Sequence, residues 1–226
     1  FDTKLLSHLE YRVPQLVGEA VRQIVEVSKQ QQPSSSSFKF RAVLDAGCGT
    51  GLAGRQLRPF MSNLGDGLLV GVDASQKMLD IAANCTFQTG CGVESGITAL
   101  AGQDRKDDDP PLYDRLLQMD LEDMTIANTF LPYESVASSN PKTSAGLDGF
   151  DLIVAADVFV YFGSLERVLQ VFATLVASTP TKSWLVFSCE RATPEEAPLG
   201  YRLLPTGRFA HTRDHVETMA TQSGYE

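Results

Sequence analysis

No apolar run in the chain approaches the ~18 residues that would suggest a membrane span. Cysteine is scarce: Cys48, Cys85, Cys91 and Cys189 show no paired C-x-x-C spacing with histidines nearby. That argues against a metal site, and so few thiols in a chain this long suggest a reducing compartment. Positive charge is short as well. Lys and Arg number 19 against 28 Asp and Glu, a net charge of −9, which disfavours a broad surface for nucleic acid or anionic membrane. No internal repeat is present. The chain opens at Phe1 without a methionine or a signal-like apolar segment and reads as trimmed. An intracellular, cytoplasmic location is expected, and an organellar leader lost from the N-terminus is compatible with it.

What is present suits one α/β domain. The chain has 226 residues, 43% apolar and 21% charged, enough to bury a sizeable single core. "PQLVGEAVRQIVEV" (14–27) places apolar residues on one helical face, with Pro14 in the first turn. "KQQQPSSSSFK" then reads as a flexible connector. Residues 1–32 are therefore expected to form an N-terminal helical segment covering the site, and 38–226 the main domain. Strands are expected at 41–45, 68–73, 114–120, 150–158 and 183–190, alternating with helices from about 52 and over 75–84, 164–178 and 213–222. Short apolar strands alternating with amphipathic helices imply a mostly parallel sheet covered on both faces. Residues 85–112 and 127–149 are polar, rich in Gly, Pro and Ser, and read as surface insertions.

The chemistry concentrates in "VLDAGCGTGLAG" (43–54). From Gly49 it is G-x-G-x-x-G, the dinucleotide fingerprint; from Asp45 it is an acid followed by three alternating glycines. Both readings place a ligand at the first strand–helix turn, and both expect Asp73, closing "LVGVD", to accept from ribose hydroxyls. Asp45 separates them. A carboxylate leading into the loop opposes a pyrophosphate, whereas S-adenosylmethionine (SAM) carries a cationic sulfonium and ammonium that it attracts. Alternatively, Asp45 faces away and caps the loop.

The ordered motifs resemble those of the class I SAM-dependent methyltransferases. "DAGCGTG" looks like their first motif and "VGVDASQKML" their second; "QMDLED" resembles the third and "FDLIVAADVFVYFGSLERVL" the fourth. The likeness spans nearly everything after Phe40. "YRVPQL", "AADVFVYFGSL" and "LLPTGRFAH" further resemble predicted methyltransferases often linked to tetratricopeptide repeats and their methyltransferase-like relatives; the two insertions suggest a eukaryotic member. The resemblance implies a Rossmann-like three-layer α/β sandwich with a seven-stranded sheet, whose last strands would follow "SGYE" in roughly 20–35 further residues.

It also implies SAM as cofactor, held by Tyr11, Asp45, Ala46, Gly47, Gly49, Gly51, Asp73, Ala74, Met78, Asp120, Leu121 and Ala156. Met78 would pack near the adenine, Asp120 would accept from its amino group, and Leu121 would flank the ring.

Three residues are candidates on the acceptor side. Asp157 is the best-placed carboxylate, and Tyr161 is a wall of the site or an ordinary aromatic cover. His211 is a general base if "PTGRFAH" folds over the sheet, or a cap for the helix starting near Arg213. His215, in that helix's first turn, is expected to be solvent-exposed. Cys48 reads as a small loop residue rather than a nucleophile. The fourth motif lacks the N-P-P-Y-type tetrapeptide seen in many amino-methyltransferases of adenine, cytosine and glutamine. With the acidic charge, that leaves a small molecule or a protein side chain as methyl acceptor ahead of nucleic acid. Two alternatives stand beside this reading: an NAD-dependent oxidoreductase using G-T-G-L-A-G, and a catalytically silent SAM-binding protein.

Overall fold

The computed structural model describes residues 11–31, 38–62, 67–86, 110–130, 148–177 and 182–226. Five strands, β1 (Ala42–Ala46), β2 (Leu68–Asp73), β3 (Arg115–Gln118), β4 (Leu152–Ala155) and β5 (Trp184–Phe187), form one sheet in the order β3-β2-β1-β4-β5. Every pairing is parallel. The order reverses at β1, and a crevice at the carboxyl ends of β1 and β4 is where open sheets of this kind bind ligands.

The central strands are apolar throughout because both faces are covered. Side chains alternate between two cores. Val43, Leu152 and Val154 face one, where Val17, Val21 and Val25 of helix α1 (Val13–Gln31) pack. Leu44, Ile153 and Ala155 face the other, filled by Val168, Leu169 and Phe172 of α5 (Glu166–Thr174). In chain order, α2 (Leu52–Leu57), α3 (Gln76–Ala82) and α4 (Ile126–Phe130) come between α1 and α5. Helix α1 thus shares a core with the sheet. Two strands begin alike. In "YD" the Asp114 carboxylate accepts from the Leu69 amide at 2.8 Å; in "FD" the Asp151 carboxylate accepts from Arg41 N at 2.6 Å. Each acid ties its strand's start to the neighbouring strand.

Several expected elements end early, for local reasons. The strand expected over 150–158 stops at Ala155, since Asp157 takes a left-handed φ of 59° and Phe159–Tyr161 turn into a 3-10 helix. The helix expected to run to 178 stops at Thr174. Beyond it, Val176 bridges Phe150, and Gly149 gives the room: a Cβ there would come 2.4 Å from the Ala177 nitrogen.

The span read as one long loop before the last helix holds a second sheet. Its strands are β6 (Glu190–Arg191), β7 (Tyr201–Leu203) and β8 (Phe209–His211), in the order β6-β8-β7, with α6 (Arg213–Gln222) following. Cys48 and Cys189 are free, whereas Cys85 is disulfide-bonded, contrary to the reading of all four as thiols. Most of the two expected insertions and of the connector lies outside the described residues. Among the described residues, no helix is long and apolar enough to cross a membrane.

Candidate active site

The loop Gly47–Gly51 leaves the end of β1 with three left-handed glycines, at φ 70°, 53° and 95° for Gly47, Gly49 and Gly51. Two of them differ in what they require. A Cβ at Gly47 would lie 2.4 Å from Val158, so packing excludes a side chain; above Gly49 there is nothing within 4 Å. Gly49 therefore presents bare backbone to open space. Asp73, at the tip of β2, holds this loop. One of its carboxylate oxygens accepts from Gly49 N at 2.9 Å, and the other from Ser75 N at 2.8 Å. A carboxylate has about four lone-pair sites, so each oxygen keeps one for a ligand.

A cavity of about 500 Å³ opens over these residues, within the range of small-molecule pockets. On the β1–β3 side it is lined by Gly47, Gly49, Asp73, Ala74, Met78, Asp120 and Leu121. Asp120 also caps the 3-10 helix Leu121–Asp123, accepting from Glu122 N at 2.9 Å. On the β4 side it is lined by Tyr11, Ala156, Asp157, Tyr161, Phe162 and Arg208. The cavity thus gathers eleven of the expected site residues. Ala46 is buried beneath it and Gly51 caps α2, so neither lines it.

Asp45 does not reach the cavity either. It is 1% exposed and accepts from the Tyr113 hydroxyl at 2.6 Å, beneath the loop. Desolvation pushes its carboxyl up to about 6, only partly offset by that hydroxyl. This arrangement accounts for the third glycine of the dinucleotide pattern: a Cβ at Gly54 would fall 2.3 Å from the Tyr113 oxygen. Gly54 makes room for the phenol that holds Asp45, and nothing about it requires a pyrophosphate. Cys48 lines the cavity, but burial raises its thiol far above the usual range and keeps it protonated.

His211 is a correction. It is 2% exposed in β8, outside the cavity lining, and its Nε2 donates to the carbonyls of Phe162 and Gly163 at 2.9 and 3.0 Å. Two carbonyl acceptors require the proton on Nε2, so only Nδ1 could act as a base; that atom is buried and without a partner among the described residues. Burial also lowers the imidazole's pKa. It does not cap α6 either, because Thr212 does, accepting from His215 N at 3.2 Å. His215 is half-buried rather than exposed, its ring stacked at 6.0 Å on that of His211. The loop does fold back to the end of β4, and the side chain it delivers there is Arg208.

Sequence reasoning missed Arg208, although the residue after the Gly207 turn was the place to look. Its guanidinium forks onto both carboxylate oxygens of Asp157 and donates from Nε to Glu190 of β6. Those hydrogen bonds, Asp157 first, raise its pKa still further. Asp157 is held from behind as well, its amide donating to Ser188 Oγ at 2.8 Å. Tyr11 and Tyr161 stand nearby. Burial and the Asp157 charge push the Tyr11 phenol upward, so it stays protonated.

No protein-family model and no curated protein matches the chain. Solved structures do. A candidate methyltransferase of Bacillus halodurans C-125 superposes with a TM-score of 0.51 at 13% identity, covering 88% of this chain and 68% of that one. An arsenic(III) S-adenosylmethionine methyltransferase from Chlamydomonas reinhardtii gives 0.51 at 17%, covering 83% of this chain and 52% of that one. At such identities the likeness concerns the fold. The chain has the class I SAM-dependent methyltransferase fold, an α/β Rossmann-like architecture with a parallel main sheet.

Proposed function

We propose that this chain binds SAM and transfers its methyl group to a small molecule or a protein side chain. The charge of the cavity carries this reading. Among the described residues, Asp73, Asp120 and Asp157 line it against a single cation, Arg208, which two carboxylates already neutralise. A dinucleotide's pyrophosphate would meet uncompensated negative charge there, whereas a sulfonium and an ammonium meet their complement. The discrimination first assigned to Asp45 rests instead on Asp120 and Asp157, since either ligand would use Asp73.

In this reading Asp73 accepts from the ribose hydroxyls with its remaining lone pairs, and Gly49 leaves room for the ligand's close approach. Met78 and Leu121 flank the adenine, and Asp120 faces its amino group. When bound, SAM supplies a methyl group activated by the adjacent sulfonium, and the transfer is an in-line displacement that needs mainly a positioned acceptor. Tyr11, Asp157 and Tyr161 define where that acceptor lies, and Pro14 and Phe162 help to exclude water.

Isothermal titration tests the reading. SAM and S-adenosylhomocysteine should bind and NAD should not. Asp73→Ala should weaken SAM by about 10–100-fold, as expected for lost hydrogen bonds to a charged acceptor. Binding of NAD with no SAM signal would overturn it.

A further inference from the structure

Arg208 is the only cation lining the cavity among the described residues, and none of its charge is left for a substrate. Three of its five N–H groups are committed, one each from Nη1 and Nη2 to Asp157 and that of Nε to Glu190, so two carboxylates face its single charge. The three side chains together carry one net negative charge. They stand at the β4 end, where the acceptor must lie, beside the phenols of Tyr11 and Tyr161. Tyr161 is 68% exposed, its ring free to meet an incoming group. A carboxylate or phosphate acceptor would find the cavity's one cation already paired with two carboxylates and would face the Asp157–Glu190 excess. A cation would meet that excess together with two aromatic rings, a combination that recognises ammonium groups.

We infer that the methyl acceptor is an amine, drawn in as its ammonium form by the Asp157–Arg208–Glu190 cluster and flanked by Tyr11 and Tyr161. The inference rests on the SAM-dependent reading above and names the substrate class for that site. Asp157 meets the substrate, while Arg208 and Glu190 are positioning residues. They fix Asp157, whose left-handed backbone is uncommon outside glycine, and set the sign of the local charge. The ammonium first loses a proton to water. The amine lone pair then forms the new N–C bond while the electrons of the C–S bond leave with sulfur as a neutral thioether. The resulting methylammonium sheds one further proton to the solvent if it leaves neutral.

Calorimetry on the S-adenosylhomocysteine-saturated protein tests this without relying on turnover. The probes are a panel of primary amines from aliphatic to aromatic, including 2-phenylethylamine, with 3-phenylpropionate and 2-phenylethanol as matched anionic and neutral probes. At least one amine should bind with a Kd of about 1 mM or tighter. 2-Phenylethylamine should bind at least about tenfold more tightly than 3-phenylpropionate. Glu190→Gln should cut that preference several-fold. Asp157→Asn combined with Glu190→Gln, which leaves Arg208 uncompensated, should invert it in favour of the carboxylate; a purely structural cluster would not invert the sign. An unchanged far-ultraviolet circular dichroism spectrum and cooperative thermal unfolding show that each variant is folded, and the wild-type preference stands by itself if the double variant is not. Preferred binding of 3-phenylpropionate or 2-phenylethanol by the wild type, or no binding by any amine, would overturn the inference. Failure of S-adenosylhomocysteine to bind would instead overturn the underlying reading.

Discussion

Asp45 and Tyr113 form a buried acid–phenol pair in which the carboxylate lacks the solvation it has in the unfolded chain. Its folded pKa of about 6 lies above the ordinary 3.8. The folded state therefore holds the proton more tightly: this contribution to stability is fully present below pH ~4 and is lost as pH rises through ~6. Asp45→Asn keeps an acceptor for the Tyr113 hydroxyl and removes the titration. It should raise stability relative to wild type by about 1–3 kcal/mol at pH 8 and by little at pH 4, measured by denaturant unfolding at both. His211 behaves oppositely. Its depressed pKa means stability that is present above the ordinary imidazole pKa and lost as pH falls through the lower folded value. His211→Leu should cost about 1–3 kcal/mol by stranding the Phe162 and Gly163 carbonyls, while S-adenosylhomocysteine affinity stays within a few-fold. A loss of affinity as large as that of Asp73→Ala would return His211 to the site.

At the scale of elements, the small β6-β8-β7 sheet acts as a clamp on the β4 end of the cavity. It holds the 3-10 turn carrying Tyr161 through His211, and holds Asp157 through Arg208 and Glu190. Arg208→Met removes the ionic link but keeps the aliphatic bulk. Hydrogen exchange in β8 and in 157–163 should accelerate about tenfold or more, with β1 and β2 unchanged. Equal protection in all of these segments would show that the sheet is held by packing alone.

These same elements mark where the sequence was and was not legible. The main strands and helices announce themselves by period, because each buries one face or both. The residues of the β1–β3 half are legible because they sit at strand ends in motif order. The clamp is not, because β6, β7 and β8 are two or three residues long and too short to show alternation. Arg208 was hidden with them. Asp45 failed for a different reason: strand position alone does not tell which way a carboxylate faces, and the partner that turned it, Tyr113, is 68 residues distant.

At the scale of the whole molecule, a chain with a net charge of −9 places three aspartates, Asp73, Asp120 and Asp157, around the crevice where the strand order of its main sheet reverses. The fold supplies the crevice, and on the proposed reading the acids give it a preference for a cationic ligand. The proposed function requires this crevice to move a methyl group. The most direct measurement is transfer of label from methyl-tritiated SAM to a panel of amine, hydroxyl, thiol and peptide acceptors, with wild type and Asp73→Ala in parallel. Label should appear in a product, and Asp73→Ala should lower kcat/KM toward SAM by about 10–100-fold. SAM that binds tightly while no acceptor gains label would contradict the proposed function, leaving a binding protein with the fold of an enzyme.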